Sequence, residues 1–350
     1  MEGDAMVTEA NAPEGAARRP KIAIVDTDSD EQRIQVELAR SQGVDVEVFH
    51  DRSAAGIVRN AAGFDGVITS YGDFSAQVFD QLPDLKVVSR TGVGFDNVDM
   101  EAATAHGVAV CNVPGYATGV VSDHAIALVM ACLRRINEVD ADMRRNVWDF
   151  ARHRPMGQVE GRTFGVIGMG HIGRATALKA KGLGFKVVCA SHSLAPGTVT
   201  SDGFPALSVD QLLETADVVS LHTALTSENH HLIDAARLAK MRPGSIVVNT
   251  ARGPLIDTVA LAEALEDGRL WGAGLDVFEE EPLPADHPIR KAPHTVLGPH
   301  DAYFSEESVR ELMRRSAQNA IDVVLCRKPD DCLNPQVFEQ PRIAAHCAAR

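Results

Sequence analysis

The sequence predicts an α/β protein built as two successive, doubly wound parallel-sheet domains, and three observations carry that expectation. Short β-branched runs alternate with amphipathic helical stretches, separated by short Gly, Asp and Asn loops, which is the pattern of parallel strands with helices on both faces. At 350 residues the chain is long for one hydrophobic core and suits two. A glycine triplet, Gly168, Gly170 and Gly173, follows an apolar run in the second half, while the first half has none.

In chain order, residues 1–20 are rich in Ala, Glu and Gly and read as a disordered extension without the apolar stretch of a secretory signal; Met6 leaves the true start open. From Lys21 to Pro114 the expected strands are KIAIV, VEVF, GVITS, KVVS and VAVC, with helices near residues 31–42 and 53–62. The loop SRTGVGFDNVD, residues 89–99, follows a strand, where ligands gather in open α/β sheets; Gly92 and Gly94 would expose backbone N–H groups to a carboxylate. An ordinary loop turn explains the same residues. Residues 115–146 read as a turn and then one long helix, with Ala125, Leu128, Val129, Cys132 and Leu133 on a 3.6-residue stripe, and a polar stretch follows at 149–160. Further strands are expected at 186–190, 217–221, 245–249, 272–276 and 295–298, and a last helix at about 305–326.

The chain is organised around residues 163–184, TFGVIGMGHIGRATALKAKGLG, which read as strand, tight turn and helix. Phe164, Val166 and Ile167 form the strand; Ile172, Ala175 and Leu178 fall on one helical face, and Gly182 is expected to close the helix. Gly168-x-Gly170-x-x-Gly173 is the dinucleotide pattern: a turn other residues cannot make, close approach of backbone to a pyrophosphate, and tight helix-to-strand packing. Phosphates would sit on the free N–H groups that open the helix.

Three ionisable residues follow strands in this half: Arg252 in VNTARGPLID, Glu281 in LDVFEEEP and His300 in LGPHDAYFSEE. Strand C-termini place all three along one rim. Hydride transfer between a 2-hydroxy acid and a 2-oxo acid needs a positive fork for carboxylate and carbonyl and a group that exchanges one proton. Arg252 and His300 supply these, and a carboxylate such as Glu281 beside the imidazole would fix its tautomer and favour its charged form. Taken singly, each is also compatible with a salt-bridged or solvated surface residue. Tyr303 and Phe304 follow His300 and could wall a substrate pocket.

Composition narrows the alternatives. A formal charge of −14 disfavours nucleic acid and anionic membranes, no apolar run is long enough for a membrane span, and no G-x-S-x-G supports a serine hydrolase. The six cysteines are scattered without a C-x-x-C pair and are expected to be reduced thiols in a cytoplasmic protein. No metal site is expected: His230 and His231 are adjacent rather than spaced for one helical face, and H-E-x-x-H is missing.

RTGVGFDNVD, VCNVPG, GVIGMGHIGRA, NHHLI, MRPGSIVVNTARGPLID, GLDVFEEEP and the PH of residues 299–300 occur in the order and approximate spacing of the D-isomer-specific 2-hydroxyacid dehydrogenases. The resemblance covers about residues 21–329. NHHLI and HDAYFSEES look most like the C-terminal-binding-protein branch, with phosphoglycerate dehydrogenases close behind. It implies a flavodoxin-like substrate domain at 21–118 plus 305–335, a Rossmann NAD(P)-binding domain at 119–304, and a homodimer formed through the cofactor domains. It assigns Arg252 to substrate binding, His300 to acid/base work and Glu281 as its partner. Implied cofactor contacts are Val93, Gly168, Met169, Gly170, His171, Ile172, Gly173, His222, Thr223, Asn229, Thr250, Ala251 and Asp276, with Arg252 and His300. Implied substrate contacts are Tyr71, Val93, Gly94, Arg252, His300 and Tyr303.

Two departures from the family pattern bear on function. Where the family commonly carries an aspartate for the adenosine ribose, CASHS places Ser191, His192 and Ser193, which leans the expectation from NAD toward NADP because no carboxylate repels a 2′-phosphate. The chain also stops at Arg350, short of the regulatory domain of long phosphoglycerate dehydrogenases. The expected function is NAD(P)-dependent oxidoreduction of a small D-2-hydroxy or 2-oxo acid, with domain closure excluding water. The rival is a nucleotide-sensing, corepressor-like binding protein with little turnover; formate or phosphite oxidation would need a much smaller pocket.

Overall fold

A computed structural model describes residues 18–26 and 32–348. Most of the expected N-terminal extension therefore lies outside the described residues. The chain divides into a first unit of residues 1–114 with 312–350 and a second of residues 115–311.

The first unit contains a five-stranded sheet of β1 (Lys21–Ile24), β2 (Asp45–Val48), β3 (Gly66–Thr69), β4 (Val87–Arg90) and β5 (Ala109–Cys111), in the order β2-β1-β3-β4-β5. Every strand pairing is parallel, with Ile24 opposite both Val48 and Ile68. The strand sequences are almost wholly apolar because both faces are covered. Ile22, Ile24, Ile68 and Val87 pack on Ala317, Ala320, Ile321 and Val324. Ala23, Val25, Val67 and Val88 turn the other way, onto Ile57, Phe74, Phe79 and Leu85. The helix Glu306–Val324 thus starts in the second unit and ends as part of the first unit's core.

The second unit holds β6 (Thr163–Ile167), β7 (Lys186–Ala190), β8 (Val218–Leu221), β9 (Ile246–Asn249), β10 (Gly272–Leu275) and β11 (Thr295–Leu297), in the order β11-β10-β9-β8-β6-β7. These pairings are parallel as well, with Ile167 between Ala190 and Leu221. One face packs Phe164, Val166, Val218 and Val248 against Leu128, Val129 and Ala177; the other packs Val219, Leu221, Val247 and Leu275 against Leu212, Leu213, Leu261 and Leu265. Full burial of one such side chain is worth roughly 1.5–3 kcal/mol. Both sheets are doubly wound α/β, as expected, and each reverses its strand order once: between β1 and β3, and between β6 and β8. Ligands bind at such reversals, beyond the C-terminal strand ends.

Four expectations need correction. The long helix of 115–146 is two helices, Thr118–Arg134 and Ile136–Arg144. Between them Arg135 adopts φ +50° and is buried, its guanidinium 4.0 Å from the Trp271 ring centroid and its Nη1 donating to Glu138 at 3.0 Å; this anchor outweighs helical continuity once the apolar stripe ends at Leu133. In the helix His171–Gly182 the buried positions are Gly173, Thr176, Ala177 and Ala180, one residue out of phase with the expected stripe, and Leu178 is exposed. Gly182 is merely the last helical residue, since Gly184, at φ +102°, makes the left-handed turn. Lastly, Cys326 and Cys347 form a disulfide. The turn after Val324 and the helix Pro341–Ala348 bring their Cα atoms to 5.5 Å, a distance a 21-residue separation in sequence does not reveal. Cys111, Cys132, Cys189 and Cys332 are free thiols.

Candidate active site

The three motif glycines do three different jobs. Gly168 has φ +97°, and a Cβ there would lie 2.5 Å from the His222 carbonyl oxygen. A Cβ on Gly173 would collide with the Gly168 carbonyl, so its absence lets the helix His171–Gly182 press onto the β6 turn. Gly170 caps that helix, and a Cβ on it would meet nothing within 4 Å. Crowding explains the outer two; only the middle one faces open space, where a pyrophosphate needs close access to backbone N–H groups. Met169 and Ile172 are half-buried beside it, and His171 is exposed.

The neighbouring strand ends hold polar atoms that the protein leaves unsatisfied. His222 Nδ1, after β8, and Thr250 Oγ1, after β9, are buried without partners, although His222 Nε2 meets Ser220 Oγ at 2.9 Å. Burial drives the His222 pKa from 6.5 down to about 4, so the ring is neutral at pH 7. Orphaned polar groups beside an open, amide-lined turn fit a polar cofactor at the β6/β8 reversal. After β7, Ser191 and Ser193 face each other with 3.2 Å between hydroxyls, and His192 is exposed. Thr223 and Asn229 belong to the loop after β8, where Asn229 binds the Ala224 carbonyl and the Thr226 amide.

Arg252, Glu281 and His300 come from the ends of β9, β10 and β11. Asn249, buried at the end of β9, accepts from the Ala251 amide at 3.0 Å and donates to the Arg252 carbonyl at 2.8 Å, which fixes the 250–252 turn. Gly253 follows, tight against the Phe278–Glu279 backbone, so that the arginine turn lies directly on the turn carrying Glu281. Glu281 Oε1 accepts from the Phe278 amide at 2.9 Å and Oε2 meets His300 Nδ1 at 2.6 Å. Partial burial pushes the Glu281 carboxyl up, but the His300 hydrogen bond and charge, the Phe278 amide and the Arg252 charge together hold it below the usual carboxylate range. With Nδ1 engaged by a carboxylate, Nε2 is the nitrogen left to exchange a proton with a ligand.

His300 itself takes a left-handed backbone, φ +62°, and Asp276 imposes it. The Asp276 carbonyl accepts from the His300 amide at 2.8 Å, and its carboxylate accepts from the amides of Asp301 (2.9 Å) and Ala302 (3.0 Å). Asp276 is 1% exposed, and burial raises its pKa. His124, with Nε2 buried and 4.0 Å from Asp276, faces the same group. Tyr303 packs with Ala117, Val121 and Ala302, its ring 6.5 Å from that of His300, while Phe304 is exposed.

In the first unit the candidates lie beyond β3 and β4. Asp26, after β1, accepts from the amides of Ser70 (2.8 Å), Tyr71 (2.5 Å) and Gly72 (2.7 Å) and from Thr69 Oγ1 (3.0 Å), so this carboxylate holds the Tyr71 loop. Tyr71 is exposed. One expectation fails in the 89–99 loop: the Gly92 amide donates to the Arg90 carbonyl and is not free for a ligand. Val93, exposed, is held through its carbonyl by Asn112 Nδ2 at 2.7 Å, and Gly94 is half-buried.

Sequence reading missed Asp26, Asn112 and Asn249, which act on backbone rather than through a motif, and His124, which faces the Asp276 carboxylate. It expected no metal at His230 and His231 because adjacent histidines do not share a helical face. They occupy a turn, where helical spacing does not apply, and their rings lie 4.1 Å apart beside Glu279.

Comparison with known proteins places the chain in a family. The NAD-binding domain of the D-isomer specific 2-hydroxyacid dehydrogenases matches residues 126–302. A glyoxylate reductase of Korarchaeum cryptofilum is 38% identical over 287 residues, which is 81% of this chain and 86% of the relative. The structure of a glyoxylate reductase from Paecilomyes thermophila superposes with a TM-score of 0.81 at 29% identity, covering 91% of this chain and 99% of that one. The D-lactate dehydrogenase of Lactobacillus jensenii, solved with NAD+, gives 0.74 at 27% identity, covering 89% and 99%. The match of residues 126–302 to the family's NAD-binding domain, with a relative 38% identical over 81% of this chain, makes this chain a member of the D-isomer-specific 2-hydroxyacid dehydrogenase family, whose reaction is NAD(P)-dependent hydride transfer between 2-hydroxy and 2-oxo acids.

Proposed function

We propose that the protein reduces a small 2-oxo acid of the glyoxylate type to the 2-hydroxy acid, with NADPH preferred over NADH. The 2.6 Å contact of His300 Nδ1 with Glu281, next to the arginine turn, carries this reading. A bound reduced nicotinamide supplies the hydride. Arg252 binds the substrate carboxylate and polarises the carbonyl, and His300 Nε2 delivers the proton to the carbonyl oxygen as the hydride reaches the carbon. Glu281 keeps the imidazole oriented, and Asp276 holds the backbone turn that presents it. Val93, Gly94, Tyr71 and Tyr303 are the proposed further substrate contacts. The amides of Val93 and Gly94 make no hydrogen bond among the described residues and suit a carboxylate.

The preference for NADPH rests on Ser191 and Ser193 at the end of β7, where hydroxyls can donate to a 2′-phosphate. A homodimer belongs to the same reading. Ile136, Met143, Trp148, Phe150 and Met156 crowd exposed apolar surface into 21 residues, and Trp148 is 86% exposed, as expected of a face covered by a second copy. No helix among the described residues is long and apolar enough to cross a membrane.

The test is a panel of 2-oxo acids, from glyoxylate to phenylpyruvate and phosphohydroxypyruvate, with both reduced cofactors. Fastest turnover of a small acid with NADPH supports the proposal. Tenfold or greater preference for NADH overturns the cofactor assignment, and tight cofactor binding without turnover of any acid replaces the enzyme by a nucleotide sensor.

A further inference from the structure

The loop after β8 ends in His230 and His231, and the turn after β10 carries Glu279; both belong to the second unit. His231 has φ +49°, and its amide donates to the Pro254 carbonyl at 2.8 Å. That conformation sets its ring close to that of His230, with centroids 4.1 Å apart and the planes tilted by 34°. His231 Nε2 meets Glu279 Oε1 at 2.5 Å. The other carboxylate oxygen is held from behind: Thr258 donates to Oε2 through its hydroxyl and, at 3.3 Å, through its amide. His230 makes no hydrogen bond or ion pair among the described residues, yet one nitrogen of each imidazole and one Glu279 oxygen all lie within 4.8 Å of one another.

Nothing in hydride transfer uses this cluster, since the proton and the carboxylate fork are already provided by His300, Glu281 and Arg252. Its composition is that of a metal site: two imidazoles and a carboxylate with an oriented oxygen, open on one side to water. At metal–ligand distances of about 2.0–2.2 Å, tetrahedral ligand atoms stand about 3.4 Å apart. Reaching that spacing asks the His231–Glu279 contact to open and the exposed His230 ring to turn toward it. We infer that His230, His231 and Glu279 form a surface site for a borderline divalent cation such as Zn2+ or Co2+, with water completing the shell and Thr258 orienting the carboxylate. Such an ion takes the place of the proton now shared by His231 and Glu279. It also ties the 229–233 loop to the turn that, two residues later, carries Glu281.

The test uses the full chain: calorimetric titration with Zn2+, and visible absorption on titration with Co2+. The expected result is one equivalent of Zn2+ bound with low-micromolar affinity and the intense d–d band of low-coordinate Co2+. His230→Gln with His231→Asn, the latter chosen because Asn tolerates a left-handed backbone, removes both signals while the circular dichroism and cofactor affinity stay as in the wild type. Thr258→Val, which leaves all three ligands in place, weakens Zn2+ by about 10–100-fold. Wild-type affinity no better than millimolar overturns the inference. So does a double variant that binds as the wild type does, because the ion then sits on other histidines.

Discussion

Alanine at each of the three glycines after β6 separates packing from cofactor binding. At Gly168 the side chain meets two penalties. The left-handed backbone costs about 1–2 kcal/mol for an L-residue, and the contact with the His222 carbonyl is backbone on one side, so no rotamer relieves it; overpacking of that kind costs about 1–3 kcal/mol. At Gly173 only the second penalty applies, against the Gly168 carbonyl. For a unit of this size one kcal/mol moves the melting temperature by about 2–4 °C. Gly168→Ala should therefore melt about 5–15 °C below the wild type and Gly173→Ala about 3–10 °C below it. Gly170 has φ −70° and ψ −167°, open to any residue, and nothing within 4 Å of its would-be Cβ. Gly170→Ala should lose only the N-cap preference of Gly over Ala, up to about 1 kcal/mol, and melt within about 4 °C of the wild type, yet bind NADPH about tenfold more weakly or worse, roughly 1.4 kcal/mol. Calorimetry of the free protein and a fluorescence titration with cofactor give both numbers. A Gly170→Ala protein with wild-type affinity, beside a Gly168→Ala protein of wild-type stability, would refute the division of labour.

Other perturbations probe separate links. Ser191→Asp should cost NADPH affinity tenfold or more while leaving NADH binding intact, measured by the same titration. His222 stays neutral in the fold down to about pH 4, whereas the unfolded chain takes its proton near 6.5. The unfolded state therefore binds more protons in that window, and stability falls as pH drops from 6.5 to 4, by at most about 3 kcal/mol. Denaturant melts of His222→Gln should show a shallower loss over the same interval. Cys326→Ser removes a cross-link closing a loop of 21 residues, worth about 3 kcal/mol by loop entropy; reduction of the wild type should lower the melting temperature equally and the variant should not respond.

The sheets were legible because buried parallel strands leave continuous apolar runs such as VVSL and IVVN between polar loops, and a strand's composition survives without its partners. The gathering of Arg252, Glu281 and His300 at neighbouring strand ends was legible because strand ends converge in such sheets. Helix ends were read less well. Arg135 interrupts an otherwise helical stretch because Trp271 and Glu138, both distant from that stripe's logic, hold it; local propensity carries no trace of a cation resting on an indole 136 residues away. The same reason hid Asp26 and Asn249, polar residues whose work is to satisfy backbone amides and carbonyls brought near by folding. The Cys326–Cys347 bridge and the His231–Glu279 contact likewise arise from turns whose geometry neither residue specifies. Adjacent histidines look unsuited to a metal only if they lie on a helix.

The central claim is that His300, backed by Glu281, handles the proton of a hydride transfer. Its most direct test is the single-turnover rate of glyoxylate reduction by His300→Gln at saturating NADPH and acid. The account predicts a rate about 10²–10⁴ times below the wild type with NADPH affinity changed less than about twofold. A rate within a few-fold of the wild type would contradict it, as would a loss fully matched by weaker cofactor binding.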